Sequence, residues 1–160
     1  MSLPGEIIQG VMARSALVIL RVYLGVVFLV AAVPKVKRDV TPELIGFLQQ
    51  VALQRGHQFY HEFVQGVVLP NAWAFAALIS WGELLVGVTL ILGLLTRFSA
   101  AAALVLALNY MFAKGAWFWT PSSNDAAFVA ISLALLIGAA GRTLGLDALL
   151  ARRWPRSPFW

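Results

Sequence analysis

The residues from Ala72 to Leu95, AWAFAALISWGELLVGVTLILGLL, form a run of 24 that carries one ionisable side chain, Glu83. At about 1.5 Å per helical residue such a run spans the ~30 Å hydrocarbon core of a bilayer. Inside lipid every backbone N–H and C=O must be satisfied within the segment, so a run of this kind has to be a helix. An ionised carboxylate at that depth costs at least about 2.5 kcal/mol unless it faces protein or a water-filled cavity. Glu83 is therefore both the strongest constraint on packing and the first place to look for function.

Three further apolar runs accompany it. They are ALVILRVYLGVVFLVAAVP from Ala16, FSAAAALVLALNYMFA from Phe98 and AAFVAISLALLIGAAG from Ala126. No run shows the alternation of polar and apolar positions that a membrane barrel requires. Hydrophobic residues make up 61% of the chain and charged residues 12%, about half the charge of an ordinary soluble domain. The expected fold is an all-α, single-domain integral membrane protein, an antiparallel four-helix bundle with spans at about 16–36, 72–95, 98–114 and 125–141. Clustered small residues in the last two spans, Ala100 to Ala103 and Ala126 to Gly141, predict close packing between them. Gly82, Gly87 and Gly93 offer similar flat patches on the second span.

The stretch 41–69 differs. Leu44, Phe47, Leu48 and Val51 recur at helical spacing, as do Phe59, Phe63 and Val67, with Gly56 between the two patterns. Two amphipathic helices on the membrane face, or folded over the bundle mouth, are expected between spans one and two. Within the tail 151–160, the end Trp154 to Trp160 (WPRSPFW) should lie extended because Pro155 and Pro158 forbid a continuing helix.

The net charge of +5 comes from basic residues that punctuate the ends of apolar runs rather than forming a patch among aromatics. They read as topology signals, which excludes nucleic acid as a partner and points to the lipid bilayer. Arg14, Arg97, Arg142, Arg152, Arg153 and Arg156 fall on one side, and Lys35, Lys37, Arg38, Arg55 and Lys114 on the other. That bias puts both termini in the cytoplasm of a multi-pass protein of the cell inner (plasma) membrane. Arg21 is expected to snorkel to the cytoplasmic face. The N-terminus lacks a charged n-region and a cleavage pattern, so the first run reads as a retained span rather than a signal peptide.

With no cysteine, the chain holds no thiolate chemistry, disulfide or iron–sulfur ligand, and sulfur redox chemistry would fall to a partner. Phosphate loops, dinucleotide fingerprints and nucleophile elbows are also missing. His57 and His61 stand at i, i+4, but a metal site needs a third ligand, so no metal is assigned and both read as interfacial histidines. Under this topology Glu83 can share an outward-opening cavity with Lys35, Asn109, Asn124 and Asp125, roofed by Trp81, Tyr110, Trp117 and Trp119. Glu83 would act as proton acceptor or quinol partner, and the others as ligand-binding residues. A polar pocket roofed by aromatics suits a quinone headgroup or another flat, weakly polar ligand. Each member also has a structural reading: a helix N-cap for Ser122 to Asp125, an interhelical hydrogen bond for Asn109, an interfacial anchor for Lys35, and a hydrogen-bonded buried acid for Glu83.

LRVYLGVVFLVAAVPKV (Leu20 to Val36), SWGELLVGVTLILGLLTRFSA (Ser80 to Ala100) and GAAGRTLGLDALL (Gly138 to Leu150) together resemble the DoxX family. The shared features are the Leu-Arg start and terminal Lys of span one, the intramembrane Glu with its Leu-Gly-Leu-Leu-Thr-Arg turn, and the Gly-Arg…Leu-Asp ending. A Glu common early in that family's fourth span is replaced here by Asn124-Asp125. The resemblance implies an integral membrane subunit of a quinone-linked sulfur or thiol oxidoreductase system, with quinone or lipid bound noncovalently and other membrane or peripheral subunits as partners. The competing expectation is a non-catalytic structural or assembly subunit of a larger respiratory or photosynthetic complex, clasped by the aromatic tail. A transporter would need two polar gates and a repeat, and the two halves show only a weak echo. The orientation is checked by H57C: a membrane-impermeant thiol reagent should label it from the outer side, and labelling from the cytoplasmic side alone would reverse the topology.

Overall fold

The computed structural model describes residues 4–121, 123–138, 141 and 143–154, with side chains from Met12 onward. The described residues are helical, without a strand: α1 Pro4–Val36, α2 Thr41–Phe47, α3 Leu53–Arg55, α4 Gln58–Phe63, α5 Ala72–Leu92, α6 Thr96–Ala113, α7 Asp125–Gly138 and α8 Leu146–Arg153. Three helical runs are long and apolar enough to cross a membrane: Met12–Val36, Gln58–Leu92 and Thr96–Ala113. Asp125–Gly138 is apolar but shorter, at 14 residues.

The second of these runs departs from the expected break before span two. Gln58 to Leu92 is one continuous 35-residue helical path, through a π turn at Val64–Val68 and a 3-10 turn at Leu69–Asn71. Pro70 lacks an N–H and its ring would collide with the carbonyl four residues back in a regular helix. The wider turn before it and the tighter turn around it re-space the backbone, so the helix absorbs the proline instead of ending.

One core draws on four helices. Leu24 and Phe28 of α1, Val86 and Leu90 of α5, Ala100 and Ala103 of α6, and Leu135 of α7 are buried together. The most extensive packing pairs are α1 with α5 and α6 with α7. Gly25 and Gly87 let α1 and α5 approach backbone to backbone: a Cβ on Gly87 would lie 2.7 Å from the Leu29 nitrogen and 3.0 Å from the Gly25 carbonyl oxygen. Gly82 faces open space and plays no such part. A smaller core, Leu48, Ala52, Val64, Val68 and Ala113, ties the 41–69 segment to the end of α6.

The opposite end is closed by a polar knot. α5 ends at Gly93, whose φ of 65° is a left-handed cap. The Asp147 carboxylate of α8 accepts from the Leu95 and Thr96 amides at 2.7 and 2.9 Å, satisfying two donors at the start of α6. Arg21 does not snorkel. It is 2% exposed and donates to the Leu144 carbonyl at 2.7 Å and more weakly to that of Thr143 at 3.5 Å. The close approach of Gly93 and Gly145 to its guanidinium makes that burial possible. The expected tail contact, Pro155 to Trp160, lies outside the described residues, as does Arg142.

The Gly25–Gly87 crossing yields a direct test. Gly87→Val forces the two backbones apart and should cost about 1–3 kcal/mol by overpacking. A thermal unfolding scan in detergent should show the loss, with Gly82→Ala close to wild type.

Candidate functional site

The buried positions of each helix recur at three- and four-residue spacing, and the polar residues of interest continue the same stripes. On α1 the stripe runs Arg21, Leu24, Phe28, Ala32 and on to Lys35; on α5 it runs Ala72, Ala76, Ser80, Glu83, Val86 and Leu90. On α6 it includes Ala100, Ala103, Ala107 and Met111 with Tyr110 alongside, and on α7 Asp125, Val129, Ser132 and Leu135. Because the stripes meet in one core, their polar members converge.

Glu83 is 2% exposed. Lys35 Nζ lies 2.6 Å from its Oε2, and the Tyr110 hydroxyl donates to its Oε1 at 2.6 Å. Lys35 also reaches the Tyr110 oxygen at 3.3 Å, closing a triangle of three side chains from α1, α5 and α6. Beside it, Lys114 Nζ contacts both Asp125 oxygens at 2.9 and 3.1 Å, and the Ser123 hydroxyl donates to the same carboxylate at 2.7 Å. The two ammonium groups stand 5.7 and 5.6 Å from the Tyr110 ring centroid, within cation–π range. A cavity of about 200 Å³ is bounded by Lys35, Glu83, Tyr110, Lys114 and Asp125, with Phe28 and Phe128 supplying apolar wall.

Of the residues expected to share one site, the structure thus joins Glu83, Lys35, Tyr110 and Asp125. Tyr110 contributes its hydroxyl as well as its ring. Asn109 faces a neighbouring cavity, where its Oδ1 accepts from the Tyr60 hydroxyl at 2.7 Å; this is the interhelical hydrogen bond of its structural reading. Trp81 does not roof the site: it is 57% exposed, on the opposite side of α5 from the buried stripe. Asn124 is exposed, and its carbonyl accepts from Phe128 at 3.1 Å at the start of α7. Trp117 packs edge-on to His57 at 4.4 Å and stacks with Trp119, and neither lines the cavity beside Glu83.

His57 Nε2 hydrogen-bonds the Ala116 carbonyl and His61 Nε2 the Gly56 carbonyl, each at 3.1 Å. Among the described residues no three His, Asp or Glu side chains converge as metal ligands would. Lys114 is the site residue that sequence reasoning passed over, counted there only among the basic topology signals. Its position four residues after Tyr110, on the same helical face, was the available signal.

The DoxX family profile matches residues 16–116. The chain belongs to the DoxX family. The match covers Lys35, Glu83, Tyr110 and Lys114 and runs through the 41–69 segment; Asp125 and Asp147 lie beyond it. No match was found among curated proteins or among solved structures.

The Lys35–Glu83 pair predicts non-additive mutational energetics. Lys35→Met strands a buried carboxyl and should destabilise toward the low end of the about 3–5 kcal/mol seen for breaking buried pairs, because the lysine side chain keeps 29% exposure. Adding Glu83→Gln to it should recover part of that loss, and a double-mutant cycle of unfolding free energies measures the coupling.

Proposed function

We propose that this DoxX protein is a four-span bundle of the plasma membrane, with both termini cytoplasmic, that supplies a quinone pocket to a thiol- or sulfur-linked oxidoreductase system. The observation that carries the reading is the Glu83 carboxyl, buried in an apolar core, held by Lys35 and Tyr110, and forming the wall of a cavity. α7 completes the bundle as the fourth span, and the 41–69 segment caps its outer mouth.

Quinone reduction takes up two electrons and two protons per ring. The electrons come from a thiol or reduced-sulfur donor on a partner subunit, since this chain has no cysteine. The chain's own part is to bind the headgroup and manage protons. Phe28 and Phe128 present apolar surface to a flat ring. The two lysines offer donors to ring oxygens, and hydrogen bonds there become stronger as charge develops on the oxygen. Glu83 and Tyr110, linked at 2.6 Å, form a short path for a proton towards the ligand. Lys114, the most exposed member, sits where replacement protons would enter from water.

Glu83→Gln keeps the size and most of the hydrogen bonding but removes the exchangeable carboxyl proton. In the complex isolated by gentle solubilisation, assayed with a thiol donor and a soluble quinone, it should slow quinone reduction about 100-fold, in the range of general acid–base effects. An unchanged rate removes Glu83 from the reaction.

A further inference from the structure

A second cavity, of about 240 Å³, lies between the 41–69 segment and the α5–α6 pair. Tyr110 lines both this cavity and the polar cavity around Glu83. Its chemistry is different. Its inner end is closed by buried Leu48, Val68 and Ala113, and its rim includes Leu78 and Val105, which are 66% and 58% exposed. Leu78 and Val105 belong to helical runs long and apolar enough to cross a membrane, so that rim opens sideways towards the acyl-chain region. Three polar residues line the cavity: Tyr60, Asn109 and Tyr110. Tyr60 donates to Asn109, Asn109 donates to the Val105 carbonyl at 2.9 Å, and Tyr110 donates to Glu83. Both hydroxyl donors and one amide N–H are thus engaged within the protein, and the rest of the lining is apolar and suited to hydrocarbon.

We propose that this cavity takes the isoprenoid tail of a membrane quinone whose headgroup occupies the Lys35–Glu83–Tyr110 site. The inference rests on the quinone reading and adds a specificity element to it: tail burial selects membrane quinones over tail-free ones. Tyr110 lines both the headgroup site and the tail cavity, with its hydroxyl on Glu83 at the headgroup side. The lateral rim lets the ligand enter from the bilayer without passing through the polar mouth.

The test uses the purified full chain in a single detergent and two ligands with one headgroup, a tail-free benzoquinone and its decyl derivative. Binding is read by quenching of tryptophan fluorescence. The wild type should bind the decyl compound at least about tenfold more tightly, because burial of each methylene is favourable by about 0.8 kcal/mol and only part of the chain needs to be covered. Val105→Trp, at an exposed rim position that a larger side chain can occupy without disturbing the core, should abolish most of that advantage and leave the tail-free affinity as it was. Leu78→Trp at the same rim should do likewise, an independent check should the first variant fold poorly. If both rim variants keep the full decyl advantage, the tail does not lie in this cavity. The same conclusion follows if they release a copurifying phospholipid without changing that advantage. Failure of the wild type to bind either quinone overturns the headgroup reading, and this inference with it. Glu83→Gln separates the two parts, since it should weaken both ligands alike and leave their ratio intact.

Discussion

A carboxyl group buried in an apolar helical core has to be held, and the manner of holding Glu83 organises this protein. Hydrocarbon supplies no hydrogen bonds, so the partners must come from neighbouring helices. Lys35 arrives from α1 and Tyr110 from α6, and the resulting triangle cross-links three helices at one level. Satisfying the acid therefore fixes the rotation of each helix about its own axis. Once α1, α5 and α6 present these faces, Leu24, Phe28, Val86 and Leu90 fall into the common core.

The far end of these helices obeys the same rule with backbone groups as the partners. There the buried cation, Arg21, comes from α1, and the carboxylate, Asp147, comes from α8. Backbone groups are the partners on that side: Asp147 caps the amides of Leu95 and Thr96, and Arg21 donates to carbonyls of the loop before α8. Amide capping by a carboxylate satisfies donors that a tight helix–helix turn leaves open. This end has glycines crowded against its polar groups, whereas the Glu83 end has a cavity. Dense packing suits a structural clamp, and open space beside donors suits ligand binding.

The 41–69 segment contributes more than a cover. Leu48, Ala52, Val64 and Val68 bury themselves against Ala113, and Tyr60 reaches Asn109 at the end of α6. Its continuity with α5 through two irregular turns makes the cap part of the same helix that carries Glu83. Movement of the cap would accordingly be felt along α5. The apolar cavity beneath it and the polar cavity beside it are both lined by Tyr110, which also contacts Glu83, Lys35 and Lys114.

Much of this was legible from residue order alone. Long uncharged runs can only be helices in lipid, which determined the all-helical class and the approximate ends of the apolar helices. The cost of an intramembrane acid singled out Glu83, and the Leu-Gly-Leu-Leu-Thr-Arg turn and terminal Lys of the first run pointed to the DoxX family. Pairing was a different matter. Whether Lys35 anchors at an interface or reaches Glu83, whether Arg21 snorkels or is buried, and whether Trp81 turns inward are questions of helix rotation and depth. Those are decided by packing between segments far apart in the chain, as in the 48-residue separation of Lys35 and Glu83. The start of span two marks the same limit: its expected separation from the 41–69 segment gives way to one helical path through π and 3-10 turns around Pro70. Sequence determined which groups could not be left alone in the membrane, and tertiary structure decided which partner each one found, because a hydrogen bond depends on where helices cross and not on the order in which they are written.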